Sequence, residues 1–260
     1  MKTERMFSFQ TAVDTAEGKS DNHYHNNYEI YYLTQGRCRY FIDKHSYLIS
    51  AGDIALIPPG VIHKTGYETP THSRKLINCG EWYIPESVRD KVGALPCFSG
   101  SPAAQKQIER IFAAIEKEEP DEFFADSMRA LVSQLMLLIA RESRSVEQRK
   151  SESPIVEKAV AEIRRQYSKA VTLEAVAAAC FVSKEHLSRT FKKETGFGFS
   201  EYLNLYRLKR ADMLLRERRD MRVVDVAMQC GFNDSNYFSK VYKKMFGVSP
   251  KQAQKEKNDV

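Results

Sequence analysis

The sequence predicts two domains: an all-β barrel or jelly roll with trailing helices, then an all-α domain. Three observations carry that prediction. Short β-branched and aromatic runs crowd residues 28–57, divided by Gly, Pro and Asp in the pattern of closely spaced strands. A helix-turn-helix pattern occurs twice in the second half, and a repeat of this kind outweighs any single residue as a guide to architecture. Charge divides along the same line: residues 151–260 hold 21 Lys and Arg against 14 Asp and Glu, whereas residues 1–150 hold 19 against 20. The surplus behind the net charge of +6 therefore lies in the helical half, as a surface that neutralises phosphates requires. At 260 residues the chain can bury a core in each domain.

From the N-terminus, MKTERMFSFQ lacks the apolar run of a signal peptide, so a cytoplasmic location is expected. The strand runs are residues 28–33 (YEIYYL), 39–42 (RYFI), 47–50 (YLIS) and 54–57 (IALI). Gly36, Asp43-Lys44, Ala51-Gly52 and Pro58-Pro59-Gly60 separate them as turns. The five cysteines (Cys38, Cys79, Cys97, Cys180, Cys230) are odd in number and lack CxxC spacing, which predicts reduced thiols and no cysteine metal site.

Ser101-Pro102 reads as an N-cap with proline at the first helical position, and the helix runs to about Glu118 with Ile108, Ile111, Phe112 and Ile115 on one face. Pro120 breaks it, and Asp121 starts a second helix reaching about Ser143. There Phe124, Met128, Leu131, Leu135 and Leu138 step as an a/d seam of two heptads, while Val132, Met136 and Ile139 form another stripe. One stripe is expected to pack on the barrel and the other on a second copy of the chain, making a homodimer; burial of both within one chain is the alternative. The run from Phe123 to Ala140 is broken by Asp126 and Arg129, so no membrane partner is expected. Residues 144–153 (RSVEQRKSES) are polar and aperiodic and read as a linker, after which Ser153-Pro154 opens the helical domain. The expected divisions are 1–98 (barrel), 99–143 (helical dimerisation segment), 144–153 (linker) and 154–260.

In the helical domain Val223, Val226 and Ala227 put an apolar stripe on a short helix, and Cys230-Gly231-Phe232 supplies a turn in which Gly231 takes positive φ. Asp234 caps a second helix that buries Phe238 and Tyr242 and turns Ser235, Asn236, Ser239, Lys240 and Lys243 outward. Gly247 closes that helix. A shift of 51 positions pairs Val226 with Ala175, Ala227 with Val176, Phe232 with Phe181, Asp234 with Ser183, Lys240 with Arg189 and Gly247 with Gly196. The earlier copy then turns Lys184, Glu185, Ser188, Arg189 and Lys192 outward and buries Leu187 and Phe191. One long helix from Glu201 to Arg218, capped by Ser200, joins the copies. Recognition helices set their N-terminal residues against base edges, so Arg189 is expected to bind guanine and Asn236 adenine, with Lys193 and Lys244 on phosphate.

Residues 172–250, and above all the run GFNDSNYFSKVYKKMFGVSP at Gly231–Pro250, resemble the DNA-binding domain of the AraC/XylS family of bacterial transcription factors. Phe199 departs from it, standing where Pro250 would have its counterpart. The resemblance places base contacts at Glu185, Ser188, Arg189, Ser235, Asn236, Ser239 and Lys240. It implies a regulator, more an activator than a repressor, with promoter DNA, RNA polymerase and a small-molecule effector of carbohydrate type as partners.

The spacings His23-x-His25-x3-Glu29-x6-Gly36 and Gly52-x5-Pro58-x-Gly60-x2-His63 resemble the two motifs of the cupin fold, departing at Tyr67. In metal-bearing cupins the matching positions, His23, His25, Glu29 and His63, hold a divalent ion. In regulators the same residues also line a metal-free effector pocket, here with Tyr31, Tyr40 and Trp82 as stacking surfaces. No cofactor is required on the second reading, and both stay open. A metal-dependent cupin enzyme fused to a DNA-tethering module is the alternative function. No nucleophile–base pair outside the cupin residues and no phosphate-cradling loop points to an enzyme.

Overall fold

The computed structural model describes residues 6–15, 25–89, 97–142 and 154–255. They divide into two compact units, residues 1–152 and 153–260, which are taken separately. The linker expected over residues 144–153 lies outside the described residues, and the helix expected to open at Ser153-Pro154 is described from Pro154.

Among the described residues the first unit holds eight antiparallel strands: β1 (Phe7–Thr15), β2 (Tyr28–Gln35), β3 (Arg37–Ile42), β4 (His45–Ser50), β5 (Asp53–Ile57), β6 (His63–Tyr67), β7 (Thr71–Cys79) and β8 (Cys97–Ser99). They form a five-stranded sheet in the order β1-β7-β2-β5-β8 and a three-stranded sheet in the order β4-β3-β6. Four strands are those the aromatic and β-branched runs mark. β1 and β7 escape that reading, because polar residues interrupt both: Ser8, Gln10, Thr11 and Asp14 in β1, and the run from Thr71 to Lys75 in β7. β2 is buried on both faces from Tyr28 to Leu33, which explains its unbroken apolar run. Tyr31 and Leu33 meet Tyr40, Tyr47, Ile49 and Ile57 inside the sandwich. Ile30 and Tyr32 point the other way, into a layer made by two helices.

Those helices are α1 (Pro102–Lys117) and α2 (Phe124–Glu142). Ser101 caps α1 through its hydroxyl, which accepts from the Ala104 N–H at 3.2 Å. Phe112 stacks on Tyr32 with centroids 5.0 Å apart. The seam on α2 is divided differently from the expectation. Met128 and Leu135 are completely buried beside Val132, Met136 and Ile139 in the chain's own core, while Phe124, Leu131 and Leu138 lie at its margin. Most of the apolar stripe covers the chain's own core, so the full seam is not available to a second copy.

The second unit contains α3 (Pro154–Gln166), α4 (Leu173–Ala179), α5 (Lys184–Thr195), α6 (Phe199–Glu217), α7 (Val223–Gln229), α8 (Ser235–Phe246) and α9 (Pro250–Lys255). α3, α4 and α5 pack together, and α7, α8 and α9 pack around the C-terminal half of α6. α6 starts at Phe199 after Gly198, whose N–H donates to the Glu201 carboxylate, so Ser200 lies inside the helix rather than capping it. The repeat is not uniform either. α4 and α7 align at a separation of 50, whereas α5 and α8 align at 51. The second copy has one more residue, Asn233, before its N-cap. Val176 and Ala177 therefore match the buried Val226 and Ala227, and Phe181 matches Gly231, not Phe232.

Candidate effector pocket and nucleic-acid interface

The sandwich interior gathers His25, Glu29, Tyr31, Tyr40 and His63. Glu29, on β2, is 4 % exposed and faces β3 and β6. Its Oε1 accepts a 2.5 Å hydrogen bond from the Tyr40 hydroxyl, while Oε2 lies 3.1 Å from His25 Nε2 and 3.6 Å from His63 Nε2. The two imidazoles sit edge to face, 5.0 Å apart. Each has its other nitrogen on a backbone carbonyl: His25 Nδ1 is 3.0 Å from Asn27 O and His63 Nδ1 is 2.8 Å from Val61 O. A carbonyl only accepts, so both Nδ1 atoms carry hydrogen and both Nε2 atoms turn toward Glu29. Two imidazole nitrogens and one carboxylate oxygen thus converge within 4.8 Å of one another.

Electrostatics follow from this geometry. Burial alone would push the Glu29 carboxyl up, but His63 and His25 together outweigh it and hold it well below the usual carboxylate range. Burial, reinforced by Glu29, pushes the Tyr40 phenol well above its ordinary value, so Tyr40 remains the donor. The residues fit a divalent metal, since two imidazoles oriented by carbonyls plus one carboxylate suit Fe, Mn, Ni or Zn. His23, the fourth expected ligand, lies outside the described residues.

Trp82 belongs elsewhere. Its ring packs against the helix-side core, beneath the Arg129 guanidinium at 4.4 Å, on the opposite face of the five-stranded sheet from Glu29. It is not a stacking surface of the pocket. The sandwich adds residues that sequence reasoning missed. Asn78 pairs across β2 and β7 with Glu29, and its Oδ1 is buried with no hydrogen-bond partner among the described residues. Arg74 reaches over the Tyr31 ring at 5.7 Å. Only strand pairing reveals them, because nothing in THSRKLINC marks which residues face inward.

The basic half presents its outward rows as expected. Lys184, Glu185, Ser188, Arg189 and Lys192 on α5 are exposed, as are Asn236, Lys240 and Lys243 on α8, with Ser235 and Ser239 half-buried. Leu187, Phe191, Phe238 and Tyr242 are fully buried behind them. Ser183 caps α5 and Asp234 caps α8. Three of these residues already have side-chain bonds. Lys184 Nζ donates to the Glu174 carboxylate at 3.4 Å, Lys192 Nζ donates to the Gly196 carbonyl at 2.7 Å, and the Ser239 hydroxyl donates to Ser235 O at 2.9 Å.

Comparison with known proteins now decides the family. The family described as AraC-like ligand binding domain matches residues 10–153, and a helix-turn-helix domain family matches residues 176–256. The chain belongs to the AraC family of transcriptional regulators. It is 28 % identical over 243 residues to the HTH-type transcriptional activator RhaS of Klebsiella pneumoniae (strain 342), covering 88 % of this chain and 85 % of that protein. It is 42 % identical over 94 residues to YijO of Escherichia coli (strain K12), an uncharacterized HTH-type transcriptional regulator, covering 36 % of this chain and only 33 % of YijO. The solved C-terminal domain of AraT, a response regulator from Geobacillus stearothermophilus, is 34 % identical and covers 42 % of this chain and 94 % of its own, with a TM-score of 0.39.

As an AraC-family regulator the chain pairs a ligand-binding domain with a DNA-binding one, and the two clusters above fall one in each. Among the described residues Cys38, Cys79, Cys180 and Cys230 are buried and form no disulfide. Burial pushes Cys79 up to about 12 and Cys230 to about 11, which makes both poor nucleophiles. No helix of the described residues is long and apolar enough to cross a membrane.

Proposed function

We propose that this AraC-family chain is a cytoplasmic, sequence-specific activator whose DNA binding is controlled by a small, hydroxyl-rich effector of carbohydrate type held beside Glu29. The observation that supports this most is the polar interior: a buried carboxylate, two imidazole nitrogens within 4.8 Å of it, and the buried Asn78 oxygen on the residue paired with Glu29 across the sheet. Hydroxyl groups donate to such a set, and Tyr31 and Tyr40 offer apolar faces for a sugar ring. The activator sense follows RhaS, which is named an activator. DNA would be read by Lys184, Glu185, Ser188 and Arg189 on α5 and by Ser235, Asn236, Ser239, Lys240 and Lys243 on α8, with Lys192 closing its own helix and meeting phosphate. RNA polymerase is the expected partner at the promoter. A homodimer would use Phe124, Leu131 and Leu138 at the margin of the core, and Leu131 also lines a groove of about 340 Å³ between α1 and α2 with Gln107, Arg110, Ile111, Ala114 and Gln134.

The test is thermal stability of the full chain against sugars, sugar acids and divalent metals. A ligand at 100 times its Kd adds about 2.7 kcal/mol to the domain that binds it. A sugar-type shift that His25→Ala abolishes supports the reading; no shift with any compound refutes the effector. The converging nitrogens and carboxylate oxygen favour one second reading, a divalent metal held by His25, Glu29 and His63. A shift with metal alone, also lost in His25→Ala, would select it, and turnover by the loaded protein would point to a metal-dependent cupin enzyme tethered to DNA.

A further inference from the structure

The two helix-turn-helix copies make the same turn, yet only one of them is covered. In each, the residue after the capping cysteine is left-handed: Phe181 at φ +60° and Gly231 at φ +87°. Equivalent bonds close both turns, from Val182 N–H to Ala177 O at 3.1 Å and from Phe232 N–H to Ala227 O at 3.0 Å. Phe181 is 87 % exposed. Gly231 has no room for a side chain: a Cβ there would lie 2.6 Å from the Tyr167 carbonyl oxygen and 2.9 Å from Arg207 Nε.

The difference marks where the second copy rests on the first. Tyr167 follows α3, which packs with α4 and α5. Arg207 lies in the middle of α6. It donates from Nε to Tyr167 O at 2.7 Å and from Nη2 to Lys169 O at 2.8 Å, closing the carbonyl end of α3 with one planar fork. The Gly231 turn closes over the same guanidinium. Arg207 also sits where α6 passes from one core to the other. Tyr202 packs on Phe191 and Phe197 of the first copy, while Leu208, Ala211 and Leu215 belong to the core of the second. A fork bonded to two carbonyls fixes direction as well as distance, which apolar contact does not.

We infer that Arg207 is a positioning residue that locks the second helix-turn-helix on the first and thereby sets the half-site spacing that α5 and α8 can read together. The inference rests on the DNA-reading surfaces proposed above. Spacing is a sharp readout, because one inserted base pair turns a half-site about 35° around the duplex.

The experiment uses the full chain and a duplex selected from a random library by the wild type. Binding is compared on that duplex, on versions with one base pair added or removed between the half-sites, and on each half-site alone. The wild type is expected to lose about tenfold or more on either spacing change. Arg207→Gln is expected to bind the half-sites equally well, to bind the selected duplex about tenfold more weakly, and to distinguish the spacings by no more than about twofold. A folded Arg207→Gln chain that keeps the wild-type spacing penalty overturns the inference. Should that variant fail to fold, Arg207→Lys repeats the comparison; failure of both to fold also overturns it, since the contact would then hold the domain rather than the spacing. A wild type that selects no sequence would overturn the DNA-reading assignment itself.

Discussion

Replacing Gly231 by alanine should cost the helical domain far more than replacing Phe181, although both occupy one position of a repeated turn. At Gly231 a side chain meets two costs. The left-handed backbone at φ +87° disfavours any L residue by about 1–2 kcal/mol. The new Cβ would lie 2.6 Å from Tyr167 O and 2.9 Å from Arg207 Nε, so the turn or the guanidinium must move. Losing either Arg207 bond removes a charged hydrogen bond of about 1.5–3 kcal/mol. The sum is about 2.5–5 kcal/mol. At Phe181 the backbone strain is already present, and alanine removes only the Lys158 ammonium over the ring, 4.4 Å from its centroid. An exposed contact of that kind is worth about 0.5–1 kcal/mol. The assay is urea unfolding of the full chain followed by the helical circular dichroism signal. The one tryptophan, Trp82, lies in the sheet domain and would report the wrong transition. Similar losses at the two positions, or a Gly231→Ala cost below about 1 kcal/mol, would refute the account of the covered turn.

Three further outcomes are expected. The Glu29 carboxyl lies below its ordinary 4.5, so its contribution is complete above that pH and fades as pH falls through the lower folded value. Glu29→Gln should destabilise the sheet domain by about 1.5–3 kcal/mol near neutrality and flatten its acid sensitivity, followed by Trp82 fluorescence; an unchanged acid slope would contradict the His–Glu coupling. Arg189→Ala should cost about 1–3 kcal/mol on its selected duplex and relax preference at one base pair, and equal losses on random DNA would exclude direct readout by that residue. Leu131→Glu, at the margin of α2, should shift sedimentation from dimer to monomer while the chain stays folded, and an unchanged dimer mass would remove Leu131 from the interface.

Much of the architecture was legible because it is local. The caps at Ser101, Ser183 and Asp234, the left-handed glycines at 196, 231 and 247, and the buried rows Leu187–Phe191 and Phe238–Tyr242 all follow from spacings of one helical turn. The His25, Glu29 and His63 cluster was legible for another reason: the motif carried the pairing of distant strands within its spacing. Where the reading failed for Trp82 and the α2 seam, the deciding contact came from far along the chain; at Ser200 and Asn233 it was local. The uniform shift of 51 hid Asn233, because the two copies keep their buried faces and differ only in loop length.

The sequence by itself determined the strand-rich and helix-rich halves, the segregated charge, the doubled helix-turn-helix and which side chains face outward on α5 and α8. Each depends on periodicity or composition, which a chain carries without folding. Only the tertiary structure decided that Met128 and Leu135 are spent inside one chain and that Trp82 lies behind the sheet. It alone put Asn78 beside Glu29 and set Gly231 on the end of α3. Those four outcomes depend on which surface covers which, and a covering surface is chosen by packing between segments tens of residues apart.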